Sequence, residues 1–244
     1  MKKRTLETTA FSLHLMAMAF MLCDHLYWTV LPEREILTWI GRLAFPIFAF
    51  MIVEGYFHTR NLRNYVLRLL LWAVISEIPF DLVVESSAFA PERQNVLWTF
   101  LLGIMMIRLN EQAKDRGKMQ LLTALCTLVF GYLLGLLGGV DYGGAGVLTV
   151  LVFYFFRGRK WWNFLGQAAF LYFLNRNLMY GRGYMIFLFG HGVFLWQQSF
   201  ALLALLPIWL YRGKQGPHSK GLRLFYYSFY PVHLLILGLI KMLR

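Results

Sequence analysis

Apolar stretches follow one another along almost the whole chain, at roughly residues 8–31, 36–57, 64–84, 95–109, 119–138, 143–157, 161–176, 183–211 and 222–243, with only short polar connections between them. A bilayer-crossing helix needs about 20 mainly apolar residues, fewer where neighbours cover it. The chain therefore reads as all-α, a polytopic transmembrane helical bundle of about nine spans forming one domain over residues 1–244. The stretch 183–211 is long and interrupted at Gly190-His191-Gly192, which predicts a broken helix, or a re-entrant piece followed by a span. Composition agrees: only 15% of residues are charged, against about 25% in soluble domains. Trp and Tyr often fall near the ends of apolar runs, as in an interfacial belt.

A net charge of +12 would raise nucleic-acid binding in a soluble protein. Here most of the excess lies in short loops, where Lys and Arg mark the cytoplasmic side, and no nucleic-acid partner is expected. Alternating the spans from a cytoplasmic N-terminus puts 16 Lys and Arg inside and six outside. The inner set begins with Lys2, Lys3 and Arg4; the outer set includes Lys241 and Arg244. The expected location is thus the cytoplasmic membrane, multi-pass, N-terminus inside. The first run is long for the 7–15-residue core of a signal peptide and holds His14, Asp24 and His25, so it reads as a retained helix. Cys23 and Cys126 lie in apolar runs without metal-like spacing.

The informative residues are the ionisable ones inside apolar runs. A charge in hydrocarbon costs a few kcal/mol or more, so it normally faces a partner or a wet cavity. At 1.5 Å rise per residue, Asp24 and His25 of the first span lie about 6–8 Å outside the midplane and Arg42 of the second about 6 Å outside it. Glu77 lies about 4–5 Å and Asp81 about 10 Å outside on the third span, four residues apart on one face. Asn95 opens the fourth, and Asp141 follows the fifth. An outer-half cluster of Asp24, His25, Arg42, Glu77, Asp81 and Asn95 follows. It can be a structural ion-pair network pinning helices. Equally, an imidazole beside a carboxylate has the make-up of a general base.

A second group, Glu54, His58, Arg60, Arg63 and Arg68, falls at the opposite end of the second and third spans. Arg60 and Arg63 read as topology anchors. Arg68, one turn deeper, can pair with Glu54 or bind a phosphate. In the last span, Pro231 frees a backbone carbonyl, and Tyr230 and His233 set polar groups near the midplane. Tyr-Pro-x-His at that depth fits a cavity wall as well as ordinary packing. The chain carries no P-loop, His-Glu-x-x-His, Gly-x-Ser-x-Gly or Cys-x-x-Cys motif. Nothing in it points to a metal.

The run Gly41-Arg42-Leu43-Ala44-Phe45-Pro46-Ile47-Phe48-Ala49-Phe50, with Glu54-Gly55 and His58-Thr59, resembles the TraX family. So do Ser76-Glu77-Ile78-Pro79-Phe80-Asp81, Gln94-Asn95-Val96 and Tyr230-Pro231-Val232-His233-Leu234. The resemblance covers nearly the whole chain, most specifically residues 24–103 and 211–237. That family is associated with N-terminal acetylation of conjugative pilin and is similar to the wider transmembrane acyltransferase group. The resemblance implies transfer of an acyl, specifically acetyl, group from cytoplasmic acyl-CoA to an amine or hydroxyl at the outer face of the membrane. The acceptor would be a pilin-like N-terminus, or an envelope glycan or small molecule. His25 matches the group's intramembrane catalytic His. Asp24 would orient it, and Arg42 or Asn95 would stabilise the oxyanion. Arg68, Arg63 and His58 would hold the phosphates of acetyl-CoA or another acyl-CoA. Glu77, Asp81, Asn95, Tyr230 and His233 would line the acceptor side.

Two other readings of the same residues stay open. Intramembrane Asp, Glu and His with an interrupted helix suit a small proton-coupled transporter, although no internal repeat is seen. A non-catalytic membrane partner of an assembly machine would use the polar cluster structurally.

Overall fold

The computed structural model describes residues 7–179, 181–188 and 190–244. Lys2, Lys3 and Arg4, which contribute to the expected orientation, lie outside the described residues. The first helix, α1 (Ala10–Thr29), opens on a capping box in which Thr9 Oγ1 accepts from Ser12 N and Thr9 N donates to Ser12 Oγ. The next apolar run is one rod broken in the middle, α2 (Glu35–Gly41) and α3 (Ala44–His58). Pro46 explains the break, because it has no N–H to offer the carbonyl of Arg42 four residues earlier. Arg42 is thereby left at a helix end in the interior of an apolar run.

Side chains open the later helices too. Asn61 caps α4 (Leu62–Val84), Asn95 caps α5 (Val96–Ala113) and Ser219 caps α10 (Lys220–Met242). Between them lie α6 (Lys118–Leu137), α7 (Gly143–Phe155), α8 (Trp161–Asn177) and the short α9 (Leu205–Trp209). Helices α4 and α10 make the most extensive pairing, each with an internal proline (Pro79 and Pro231). At the far end of α10, Lys241 Nζ donates to Val83 O and Arg244 Nη1 to Val30 O, both at 2.6 Å. These two cations therefore satisfy carbonyls at the ends of α4 and α1. Close approach of α6 and α7 depends on glycine: a Cβ on Gly135 would stand 2.8 Å from the carbonyl oxygen of Gly143.

The stretch 183–211 departs from the expected broken helix. It forms an antiparallel hairpin, β1 (Gly183–Leu188) and β2 (His191–Trp196), registered from Gly183↔Trp196 to Leu188↔His191. A 3-10 helix (Gln197–Ala204) and α9 follow. Length favoured a span, but Gly190 takes φ +82° and turns the chain between two aromatic-rich runs, a composition that suits strands.

Among the described residues, two apolar cores hold the bundle. The larger joins α1, α3, α5, α7 and α8 through Leu13, Ile47, Ile107, Val147 and Leu171. The smaller sets Met21 and Ala44 against Phe80, Tyr230, Leu234 and Leu237. Outward faces are apolar as well: Leu121, Leu125, Phe130 and Leu137 of α6 are exposed. Such a face is a liability in water and ordinary in hydrocarbon. Among the described residues, α1, the α2–α3 rod, α6 and α10 are long and apolar enough to cross a bilayer. The other expected spans are shorter or more charged; α7 has 13 residues, and α4 carries Arg63, Arg68, Glu77 and Asp81. This is a helical membrane protein.

Candidate functional site

Apolar packing between helices gains little where the surroundings are lipid, so polar contacts do much of the work of choosing neighbours. One such contact joins α1 to the break between α2 and α3. Arg42 Nη2 contacts both carboxylate oxygens of Asp24, with Oδ2 at 2.6 Å. Thr38, one turn before Arg42, donates to Asp24 Oδ1 at 2.7 Å. Thr38 Oγ1 in turn accepts from Gln197 Nε2 at 2.6 Å, while Arg42 Nη1 reaches Gln198 Oε1 at 3.4 Å. Asp24, Thr38, Gln197 and Gln198 are all buried. Gly41 lets the two helices meet, since a Cβ there would lie 2.7 Å from Asp24 Oδ1.

His25 turns elsewhere. Successive helical residues point about 100° apart, so Asp24 faces Arg42 while His25 faces α10. The expected Asp24–His25 pairing is therefore replaced by a pair of imidazoles: His25 Nδ1 lies 2.7 Å from His233 Nε2. Their rings are 4.9 Å apart and nearly parallel. His233 Nδ1 lies 2.6 Å from the carbonyl oxygen of Phe229, and the Phe229 ring stacks on His233 at 4.7 Å. Tyr230, buried, stands 6.4 Å from His25.

Glu77 and Asn95 form a third set. Glu77 Oε1 accepts from Asn95 Nδ2 and, at 2.6 Å, from Trp98 Nε1. Asn95 Nδ2 also donates to Ala73 O at 2.8 Å. Both its amide protons are thus used, which leaves Asn95 none for an oxyanion. Asp81 accepts from Ala90 N at 2.9 Å and clips down the loop after α4. Of the six residues expected in one outer-half cluster, the structure joins Asp24 with Arg42 and Glu77 with Asn95, and gives His25 and Asp81 separate partners.

The inner group divides. Glu54 Oε1 accepts from Arg157 Nε at 2.7 Å, not from Arg68. His58 lies beside Glu54 and lines a cavity of about 300 Å³ with Arg157, Arg159 and Arg212. Arg63 is exposed on the first turn of α4. Arg68 lines a different cavity of about 310 Å³, between α1, α3, α4, α5 and α10. Its Nε is buried there without a hydrogen-bond partner. The same cavity is lined by His14, His218 and Arg223 toward the α10 N-terminus and by Met21 and Tyr230 toward the imidazole pair.

Thr38, Gln197, Gln198 and Trp98 were not anticipated as site residues. Thr38 was findable, being four residues before Arg42 on one helical face; the glutamines had no such signal because the hairpin before them was unforeseen. Asp141, in the loop before α7, accepts from Tyr142 N at 3.1 Å. Burial pushes its carboxyl up to about 6 against the opposing pull of Arg42.

A family model described as TraX protein matches residues 11–241. The chain is also 29% identical to the probable fimbrial assembly protein FimC, serogroup H1, of Dichelobacter nodosus, over 98% of each chain. No solved structure matches it.

Proposed function

Because the chain belongs to the TraX family, whose model covers residues 11–241, we propose that it is an integral-membrane acyltransferase. It takes an acetyl group from acyl-CoA on the cytoplasmic side and transfers it to an amine or hydroxyl acceptor at the outer face. The N-terminus faces the cytoplasm, and the membrane is the cytoplasmic one. The fimbrial name of its relative favours a pilin-like N-terminus as acceptor over an envelope glycan or small molecule.

The observation that carries this reading is the His25–His233 pair beside the Tyr230 end of a cavity whose other end holds Arg68, His218 and Arg223. From His14 to His25 helix α1 rises about 16 Å, a distance suited to the extended pantetheine arm of CoA. The phosphates would rest on Arg68 and Arg223. The arm would run past Met18, Met21 and Met51 to bring the thioester to His25. Arg63 and His58, outside this cavity, fit that task less well than Arg223.

In the reaction, the acceptor nitrogen or oxygen attacks the thioester carbonyl while His25 Nε2 takes its proton. The carbonyl oxygen gains negative charge, and Arg42 Nη1 and the Tyr230 hydroxyl are the candidate donors to it. One such donor is worth about 10²–10³ in rate. The C–S bond then breaks and the thiolate takes the proton from His25. In the covalent variant, His25 Nε2 attacks first, the C–S bond breaks and CoA leaves as the thiolate; the acceptor then displaces the imidazole from the acetyl group, and its proton goes to the thiolate. Asp24 acts by holding Arg42, and Glu77 with Asn95 by holding α4 against α5.

Sidedness provides the test. Proteoliposomes of one orientation would receive labelled acetyl-CoA on the N-terminal side and a pilin-like peptide with a free amine on the other. Label on the peptide amine is the expected result. No transfer in either orientation, with acetyl-CoA left unbound, would overturn the enzyme reading and favour a non-catalytic assembly partner, in keeping with the relative's name.

A further inference from the structure

We propose that His233 is a positioning residue: it holds His25 in the one neutral tautomer that leaves His25 Nε2 bare, and it serves as the relay for the second proton of that ring. The inference rests on the acyltransferase reading for its activity test, but the tautomer itself is observable without turnover.

Phe229 O can only accept, and His233 Nδ1 lies 2.6 Å from it, so Nδ1 carries the proton. A neutral imidazole has one N–H, which leaves His233 Nε2 as an acceptor. That nitrogen faces His25 Nδ1 at 2.7 Å, so His25 must donate from Nδ1. His25 Nε2 is then the unprotonated nitrogen, the atom a general base or nucleophile needs. One further contact holds the His233 ring in this orientation. The Phe229 ring stacks on His233 at 4.7 Å and steadies it. A ring flip at His233 would put carbons opposite both Phe229 O and His25 Nδ1 and give up both contacts.

The relay follows from the same geometry. As His25 Nε2 takes the acceptor's proton, the proton on His25 Nδ1 can pass to His233 Nε2. His233 becomes the imidazolium, its Nδ1–H still donating to Phe229 O, and His25 stays neutral with its proton on Nε2. When the thiolate leaves and takes that Nε2 proton, the Nδ1 proton returns from His233. Protons and charge balance with no outside acid or base. Asp24, the residue next to His25, is excluded from this role by its engagement with Arg42 and Thr38.

The test uses the full chain in nanodiscs, with three proteins compared: wild type, His233→Gln, whose side-chain oxygen can still accept from His25 Nδ1–H, and His233→Phe, which keeps the ring but has no acceptor. Loss of such an orienting partner costs on the order of 10²–10⁴ in kcat. The expected result is a loss of that size in kcat for His233→Phe with KM for acetyl-CoA unchanged, and partial recovery in His233→Gln that stops about tenfold below wild type, since the amide oxygen restores the acceptor but cannot relay the proton; full recovery in His233→Gln would remove the relay. A purely structural role would lower both variants together or raise KM.

Imidazole ¹⁵N NMR of the wild type, with the six histidines assigned by substitution, reads the tautomer directly. His25 is expected to show a protonated Nδ1 and a bare Nε2, and that signature should be lost in His233→Phe. A wild-type His25 with its proton on Nε2 would overturn the inference whether or not the protein turns over acetyl-CoA. Turnover unaffected in His233→Phe would overturn it while leaving the acyltransferase reading intact. If His233→Phe does not fold, the wild-type spectrum and the His233→Gln kinetics still decide.

Discussion

Removing one partner of the Asp24–Arg42 pair should separate what the bundle needs from what the chemistry needs. Both side chains are largely enclosed, at 12% and 13% exposed respectively. Asp24→Leu would leave the Arg42 guanidinium without its carboxylate and Thr38 without its acceptor. A buried charge stranded in this way costs about 3–5 kcal/mol, whereas an ordinary interhelical hydrogen bond in a membrane protein averages only about 0.6 kcal/mol. With about 2–4 °C per kcal/mol for a chain of this size, the midpoint of thermal unfolding in mild detergent should fall by roughly 6–20 °C. The double variant Asp24→Leu, Arg42→Met removes both charges and should return to within about 1–2 kcal/mol of wild type, yet lose acyl transfer by about 10²–10³ if Arg42 supports the oxyanion. The assay is a fluorescence unfolding scan beside turnover of labelled acetyl-CoA. A shift under 2 °C for Asp24→Leu would refute the claim that this pair is enclosed and mutually dependent. Full activity in the stable double variant would remove Arg42 from the mechanism.

Other consequences follow from single positions. Arg68→Met should raise KM for acetyl-CoA by about tenfold or more, the worth of a charge-assisted phosphate contact, with kcat nearly unchanged; a lowered kcat at constant KM would contradict it. Gly41→Ala should lower the unfolding midpoint, although alanine is the better helix former, because its Cβ would meet Asp24 Oδ1 at 2.7 Å; unchanged stability would show that α1 and α2 can part without cost. Asp141, pushed up to about 6 by burial, binds its proton more tightly folded than unfolded. Its contribution is therefore greatest below about pH 4 and is lost as pH rises through about 6. Asp141→Asn should flatten the fall in unfolding midpoint over that window, and an unaltered slope would assign the fall to another group.

Much of the fold was legible along each helix and little of it between helices. Apolar run lengths located α1, α4 and α10, and the depth of Asp24 and Arg42 foretold their meeting, since 1.5 Å per residue converts position into height. Height does not say which neighbour a side chain faces. His25 and His233 are 208 positions apart, and no local period links them. Adjacency misled in the opposite direction, because Asp24 and His25, side by side in sequence, look out of different faces of α1. Glu54 and Arg68 lie at compatible heights, but Glu54 is bound by Arg157 from beyond α7. The 183–211 stretch is ambiguous in sequence because a long run of apolar residues looks the same whether it turns back on itself as strands or continues as a helix. Lys241 and Arg244, awkward as topology signals, cap the ends of neighbouring helices instead.

The most direct measurement is single-turnover release of CoA thiol from labelled acetyl-CoA by the purified protein in nanodiscs, wild type beside His25→Ala, with an amine-bearing pilin-like peptide as acceptor. Label on the peptide amine is expected from the wild type, and a loss of at least about 10² in rate for the variant, with its unfolding midpoint preserved. Equal turnover by a correctly folded His25→Ala protein would contradict the assignment of His25 as the reacting base.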